Sequence, residues 1–504
     1  MNAMAKPTYL AMQAKTQGNK WFAEKKYEDA ARCYTEALAW LPEESSLYCN
    51  RSAAWYALDE MEKALGDAIK ATEISPRYVK AHYRCALACS AMKGHTSAIA
   101  RMRRAVELSD RSSREEYKKA LLKIESTCSR EYLHLNLVGH SETVQEVGWR
   151  PLESSSHRPI LATCSLDGTI RIWCGDSGIR LHTLRGHTDK VTSIKWTRDG
   201  KYLISLALDR TVRVWEVCGD DSVASLHVLH GHKGRATCVC IPDKCDLLVT
   251  SSTDCTARIW RDLSSSRDVC EMVLSGHTQM VTCVDFSLRS NVLATASGDK
   301  TFRLWDIESG ECTQVVDWDC GAVNKCMFVG VGSQNFLVTC HFDVKFERSR
   351  LLVWNMDRAS GWTDGKLVAH VMHFEGFHGK ITCMDTTCTD DGTVLLAAGC
   401  SDGTVKVVDM ECESSLFDLI DEHIPAVGSS TSITALAFSP DGTRLATSGL
   451  DGKIHIWYSE EGTHLMTLSG HEDRICSLQW NSSGTRLASC GNDKTSKIWK
   501  TNLF

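Results

Sequence analysis

The sequence predicts a multidomain α and β protein, with an N-terminal all-α superhelix of helical repeats followed by an all-β propeller of eight blades, seven being the runner-up. Three observations carry this prediction. Small residues and prolines recur every 34 positions through the first 112 residues or so. Beyond residue 131, apolar and polar residues alternate with period two between turn residues, the pattern of antiparallel strands. A unit that opens with Gly-His and closes on Trp returns along that second part. Its clearest copy is Ser275 to Asp306, SGHTQMVTCVDFSLRSNVLATASGDKTFRLWD.

A chain of 504 residues is long enough for two or more cores, and 43% hydrophobic with 24% charged residues is ordinary for a globular protein. No apolar run approaches a membrane-spanning length, and the start MNAMAKPTYLAM lacks a signal-peptide core. The expected compartment is the cytoplasm, with the nucleus as the alternative. The net charge of −6 hides an asymmetry: residues 1–130 carry +6 and the remainder −12. A basic first module suits acidic partners. Its cations are not interleaved with aromatics, so nucleic acid is not expected. The 24 cysteines contain no C-x-x-C and lie mostly inside strand or helix patterns such as LATCS and TCVDF. They are expected as reduced, buried small hydrophobes.

In residues 1–130, Pro42 and Pro76 lie 34 apart, each where a helix should stop. Ala30, Ala64 and Ala98 keep the same beat, as do Ala37, Ala71 and Ala105, and Trp21 and Trp55. Small residues at fixed places let paired helices approach closely. This segment resembles three tetratricopeptide repeats (TPRs), at about 11–44, 45–78 and 79–112, with 113–127 as a capping helix. First helices would line a concave groove. Second helices would face outward, so Arg101, Arg103 and Arg104 are expected on a solvated face.

The groove carries the sharpest functional signal. Lys15 and Asn19 share a face at i, i+4, Asn50 falls in the first helix of repeat two, and Lys80 and Arg84 are again i, i+4 in repeat three. Three cations and two carboxamides suit a pair of carboxylates. The set resembles the two-carboxylate clamp of TPR co-chaperones. That resemblance implies the Glu-Glu-Val-Asp tail of cytosolic heat-shock chaperones as ligand.

Through residues 131–504, Asp167, Asp209, Asp254, Asp299, Asp451 and Asp493 stand six residues before Trp173, Trp215, Trp260, Trp305, Trp457 and Trp499. His140, His187, His232, His277 and His471 open five of the units. The Gly-His start and Trp-Asp finish resemble WD repeats, whose blades each have four strands. In such blades a His, a strand hydroxyl, the turn Asp and the Trp indole form a buried hydrogen-bond chain, so these residues are assigned to structure. Two units depart from the pattern. Asp402 keeps its place but Val408 replaces Trp, and the unit ending at Trp354 has Arg348 where Asp is expected. Little follows Trp499, so residues 131–138 are expected to supply the last blade's outer strand and close the ring. The irregular stretches 342–350 and 358–373 lengthen loops, where binding or neutral drift are equal expectations.

Catalytic chemistry is not expected. Gly175-Asp176-Ser177-Gly178 falls where Glu308-Ser309-Gly310 makes a turn, Gly330 and Gly332 lack the rest of a dinucleotide loop, and Asp421-Glu422-His423 has no metal partner in the sequence. No cofactor and no metal are implied. The expected function is a non-enzymatic adaptor whose clamp docks a chaperone tail while the propeller holds another, unknown protein. A ubiquitin-ligase substrate receptor is one alternative, although Trp305-Asp306 is followed by Ile307-Glu308 and lacks the Trp-Asp-x-Arg pattern. A scaffold in a transport or ciliary assembly is another.

Overall fold

The structure, a computed structural model, describes every residue except 1–4, 93, 111, 152–157, 219–221, 243–246, 262–269, 288, 318–320, 333, 357–369, 390–391, 411–413, 420–431 and 502–504. Two compact units are built on Met1–Glu131 and on Tyr132–His464 with Gly470–Leu503.

The first unit holds seven helices: α1 (Ala5–Ala23), α2 (Tyr27–Trp40), α3 (Ser45–Ala57), α4 (Met61–Ile74), α5 (Val79–Ala91), α6 (His95–Leu108) and α7 (Arg114–Tyr132). The alanines on the 34-residue beat sit between paired helices and are fully buried. Gly18, Ser52 and Ala86 form a second buried set at the same spacing. A Cβ on Gly18 would meet the Tyr34 ring at 2.7 Å, so only glycine lets α1 lie this close to α2. The Trp21 and Trp55 rings are half-buried, each beneath a lysine ammonium, Lys26 at 4.4 Å and Lys63 at 5.0 Å.

The outward-facing arginines need one correction. Arg103 is not solvated: its guanidinium meets Glu125 of α7 at 3.3 Å, and both side chains are largely buried. The capping helix supplies the carboxylate, which spacing within α6 could not reveal. Arg104 is exposed and pairs with Glu107 at 2.7 Å.

The second unit is eight four-stranded antiparallel sheets. Blades one to seven are meanders in chain order, spanning 144–184, 191–229, 236–275, 281–317, 322–377, 381–419 and 433–469. Blade eight takes Ile475–Trp480, Arg486–Gly491 and Thr495–Lys500 and adds Leu133–Val138 as its outer strand, with Leu137 opposite Ser496. Blade five is a full sheet built from Ala322–Val331, Gln334–Asp343, Arg348–Asn355 and His370–Phe377, so the count is eight and not seven.

Second strands such as Tyr202–Ala207 and Val292–Ser297 are buried along their whole length, because each lies between two neighbouring sheets. Their near-continuous apolar runs follow from that. Each blade's tryptophan packs into the preceding blade: Trp215 on blade one, Trp260 on blade two, Trp305 on blade three, Trp354 on blade four and Trp173 on blade eight. The propeller core is therefore a ring of inter-blade clusters.

Candidate functional site

The first helix of each pair carries the residues expected in the groove: Lys15 and Asn19 on α1, Asn50 on α3, Lys80 and Arg84 on α5. The Asn50 amide donates to Asn19 Oδ1 at 3.2 Å, and Lys15 Nζ donates to Ser46 Oγ at 2.6 Å, joining α1 to α3. Asn19 Oδ1 also accepts from the Tyr34 hydroxyl at 2.8 Å. With that oxygen doubly engaged, the Asn19 amide N–H groups are the ones left to meet a ligand. Burial pushes the Tyr34 phenol up to about 12, so it remains a donor. Burial also pushes the Cys49 thiol up, against the charges of Arg84 and Lys80 and a hydrogen bond from Tyr78. Those two cations thus act on the residue next to Asn50. Arg84 lies 5.8 Å from the Tyr83 ring, which meets Tyr117 of α7 edge-on at 5.4 Å. Among the described residues, neither Lys80 nor Arg84 pairs with a carboxylate.

Tyr34 and Ser46, the partners that hold Asn19 and Lys15, were not legible in the sequence. The only sequence trace is Gly18, whose small size answers the Tyr34 ring rather than a turn.

In the propeller, His140 Nδ1 meets Asp167 Oδ2 at 2.8 Å, His140 Nε2 meets Thr163 Oγ1 at 2.9 Å, and the Trp173 indole donates to Thr163 Oγ1 at 2.9 Å. His187, Asp209, Ser205 and Trp215 repeat the chain at 2.8, 2.8 and 2.9 Å. His232, Asp254, Thr250 and Trp260 do so at 3.0, 2.9 and 2.9 Å. His277, Asp299, Thr295 and Trp305 follow at 2.8, 2.8 and 2.9 Å. His471, Asp493, Ser489 and Trp499 close the series at 2.7, 2.8 and 2.9 Å. An indole can only donate and a carboxylate can only accept. The hydroxyl therefore gives its proton to Nε2, and Nδ1–H points at the aspartate. Burial alone would raise the Asp167 carboxyl, but hydrogen bonds from Thr169, His140 and Ser141 outweigh it and hold the group down to about 2. Asp254 and Asp299 are held at about 2 in the same way. Both ring nitrogens of each of these histidines are thus engaged, and the side chains are buried.

The glycines before His140, His187, His232 and His277 have a separate cause. The cation two residues before the tryptophan lies against each: a Cβ on Gly231 or Gly276, at φ +154° and +152°, would meet Arg258 or Arg303 Nη1 at 2.6 Å. The Arg303 guanidinium donates to Gly276 O at 2.9 Å.

Blade five corrects the expectation at Arg348. Its hairpin is longer, and Asp343, four residues after Thr339, takes the place that Asp299 takes after Thr295. Trp354 donates to Thr339 Oγ1 at 2.8 Å, and the histidine on that hydroxyl is His341 from the same strand, at 3.0 Å. In blade seven Trp457 donates to Thr447 Oγ1 at 2.9 Å, and Asp451 accepts from the Lys453 N–H at 3.1 Å. Gly175 to Gly178 is a turn closed by Gly178 N–H on Cys174 O at 2.8 Å. Asp421-Glu422-His423 lies outside the described residues. Among the described residues, no three His, Cys, Asp or Glu side chains are grouped to hold a metal, and no helix is long and apolar enough to cross a membrane.

The WD domain, G-beta repeat family model matches residues 131–174, 178–216, 224–261, 268–306, 369–409, 422–458 and 462–500, more than half of the chain, and passes over most of blade five. The chain is 45% identical over 83 residues to the Mitochondrial import receptor subunit TOM70 of Homo sapiens, covering 16% of this chain and 14% of that protein. It is 41% identical over 81 residues to the Protein STIP1 homolog of Dictyostelium discoideum, again 16% and 14%. The chain thus spans about one seventh of each relative's length, and these likenesses mark its N-terminal helical region as TPR-like. Among solved structures, the computationally designed Ika8 protein is matched over its whole length and 73% of this chain, with TM-score 0.57 and 24% identity, a likeness of fold alone.

Proposed function

The chain belongs to the WD domain, G-beta repeat family and joins its propeller to a TPR-like helical region, and from this pairing we propose a co-chaperone-like adaptor of the cytoplasm. The helical groove grips the acidic C-terminal tail of a heat-shock chaperone, of the Glu-Glu-Val-Asp type, while the propeller holds another protein. The observation that supports this reading is that Asn19 and Asn50 are hydrogen-bonded to each other and Lys15 to Ser46, both pairs joining α1 to α3, with Lys80 and Arg84 acting on the neighbouring Cys49. Carboxamide N–H groups and Lys15 meet one carboxylate, and the α5 cations meet the other. Holding two proteins on one chain raises the effective concentration of each for the other. The likeness to a STIP1 homolog fits this reading.

Titration calorimetry of the full chain with a peptide ending in Glu-Glu-Val-Asp, beside its C-terminally amidated form, tests it. Binding that needs the free carboxylate and falls about tenfold or more in Lys80→Ala and Arg84→Ala is expected, since a charged hydrogen bond is worth roughly 1.5–3 kcal/mol. No binding, or equal binding of both peptides, overturns the clamp.

A further inference from the structure

The pairing of first and second strands slips by one residue near its start in all eight blades, after the first pair in seven, as between Ala236 and Cys238 or Val281 and Cys283, and after the second in blade five, between Val323 and Lys325. Such bulges re-aim side chains. In four blades the skipped residue is a threonine that donates to the next blade's carbonyl: Thr237 to Val281 O at 2.6 Å, Thr282 to Val323 O at 2.7 Å, Thr382 to Ile433 O and Thr434 to Ile475 O at 2.6 Å. Four of the eight junctions between inner strands are thereby stitched, and a cavity of about 460 Å³ opens beside them, lined from blades three to eight.

We propose that this cavity is a binding site for a compact polyphosphate. Four cations line it, Arg235, Lys325, Lys380 and Arg474, each from a different blade, and among the described residues no carboxylate does. Among the described residues none of the four has an ion-pair partner, whereas elsewhere on the propeller Lys201 pairs with Glu216, Arg350 with Glu375 and Arg486 with Asp176. Like charges converging on one cavity repel, and this happens on a part of the chain whose sequence carries −12 overall. A bound polyanion would relieve that repulsion. Deeper on the inner strands, the carboxyls of Glu146 and Asp285 are already engaged by the Ile194 and Phe328 N–H groups of the next blade, at 2.8 and 2.7 Å. They bridge blades, and of the cavity's four cations only Lys325 acts through its charge on Glu146. The volume suits a small molecule, and the guanidinium forks of Arg235 and Arg474 suit phosphate oxygens.

The test is calorimetry of the full chain with inositol hexakisphosphate and with inorganic tripolyphosphate. A ten-residue polyglutamate peptide serves as the comparison. Micromolar binding of at least one polyphosphate is expected, weakening as salt rises and falling about tenfold or more in Arg235→Glu/Lys380→Glu. Both side chains are exposed, so the fold should survive; Arg235→Gln/Lys380→Gln, with a smaller loss, stands in if it does not. Tighter binding of the inositol compound assigns a ring-borne phosphate cluster, and the reverse a linear chain. Lys80→Ala/Arg84→Ala must leave this affinity unchanged, which separates the cavity from the helical groove. Three results overturn the proposal: no binding of either polyphosphate, loss of binding only in the groove variant, or preferential binding of polyglutamate.

Discussion

Phe377 and Val408 lie together in the buried cluster that joins blades five and six, in places that a histidine and a tryptophan hold in five other blades. Phe377 precedes Ile381 by four residues, as His277 precedes Val281, and Ala398 stands where Thr295 supplies the hydroxyl. All three linked polar members of the chain are replaced together, so no N–H or hydroxyl is left stranded. Asp402 persists because its partners are local: the His378 N–H at 2.7 Å and the Thr404 N–H and hydroxyl at 2.8 and 2.7 Å. Even the cation over the turn remains, with Lys406 Nζ 5.5 Å from the Phe377 ring.

Removing one member alone should therefore cost far more than replacing all three. Thr295→Val strands the Trp305 indole N–H and His277 Nε2, and a loss of about 2–4 kcal/mol in urea unfolding of the propeller is expected. Val408→Trp should also destabilise, because its indole would meet Ala398 instead of a hydroxyl. An unchanged unfolding midpoint in Thr295→Val would contradict the role given to the shared hydroxyl.

Tyr34 is buried and holds Asn19 through its hydroxyl. Tyr34→Phe keeps the ring against Gly18 but frees the carboxamide to rotate. If the clamp reading is right, affinity for the free-acid peptide should fall roughly three- to tenfold, with stability reduced by only about 1 kcal/mol. Calorimetry and thermal melting of the same sample separate the two effects.

The propeller should weaken on acidification in two stages. Burial, helped by the Arg350 charge and opposed by the Gly321 backbone, pushes His341 down from 6.5 to about 4. The unfolded chain takes up that proton first, so this contribution is full above pH 6.5 and is lost as pH falls toward about 4. Asp167, Asp254 and Asp299, held at about 2 against an ordinary 3.8, lose theirs only as pH falls from about 3.8 toward 2. In His341→Gln, unfolding measured from pH 7 to 4 should show a shallower acid limb, by on the order of 2–3 kcal/mol. The steeper loss below pH 4 should remain.

Closure of the ring rests on Leu133–Val138, and Leu137 is its most buried side chain. Leu137→Asp sets a carboxylate among Val144, Trp173 and Ile498. A loss of at least about 3 kcal/mol is expected, together with concentration-dependent aggregation as the edge of Thr495–Lys500 is uncovered. Light scattering during thermal melting reads both.

Much of this architecture was legible because the repeats write their structural needs locally. An alanine every 34 residues, an aspartate six before a tryptophan and a glycine before a histidine each answer a contact that every copy makes. Blade five was harder to read. Its histidine moved from the loop to the strand, as His341, and its turn aspartate moved to Asp343 with the lengthened hairpin.

The sequence by itself determined the order of helical and strand repeats and pointed to eight blades and to five candidate groove residues, since periodicity survives without knowledge of what each side chain touches. Only the tertiary structure decided the unique pairings. Arg103 meets Glu125 across two helices, Tyr34 reaches back to Asn19, and Arg235, Lys325, Lys380 and Arg474 converge from four blades on one cavity. These residues lie as many as 239 positions apart, Arg235 to Arg474. No local pattern brings them together. Closure of the helical stack and of the ring does, by fixing which faces meet.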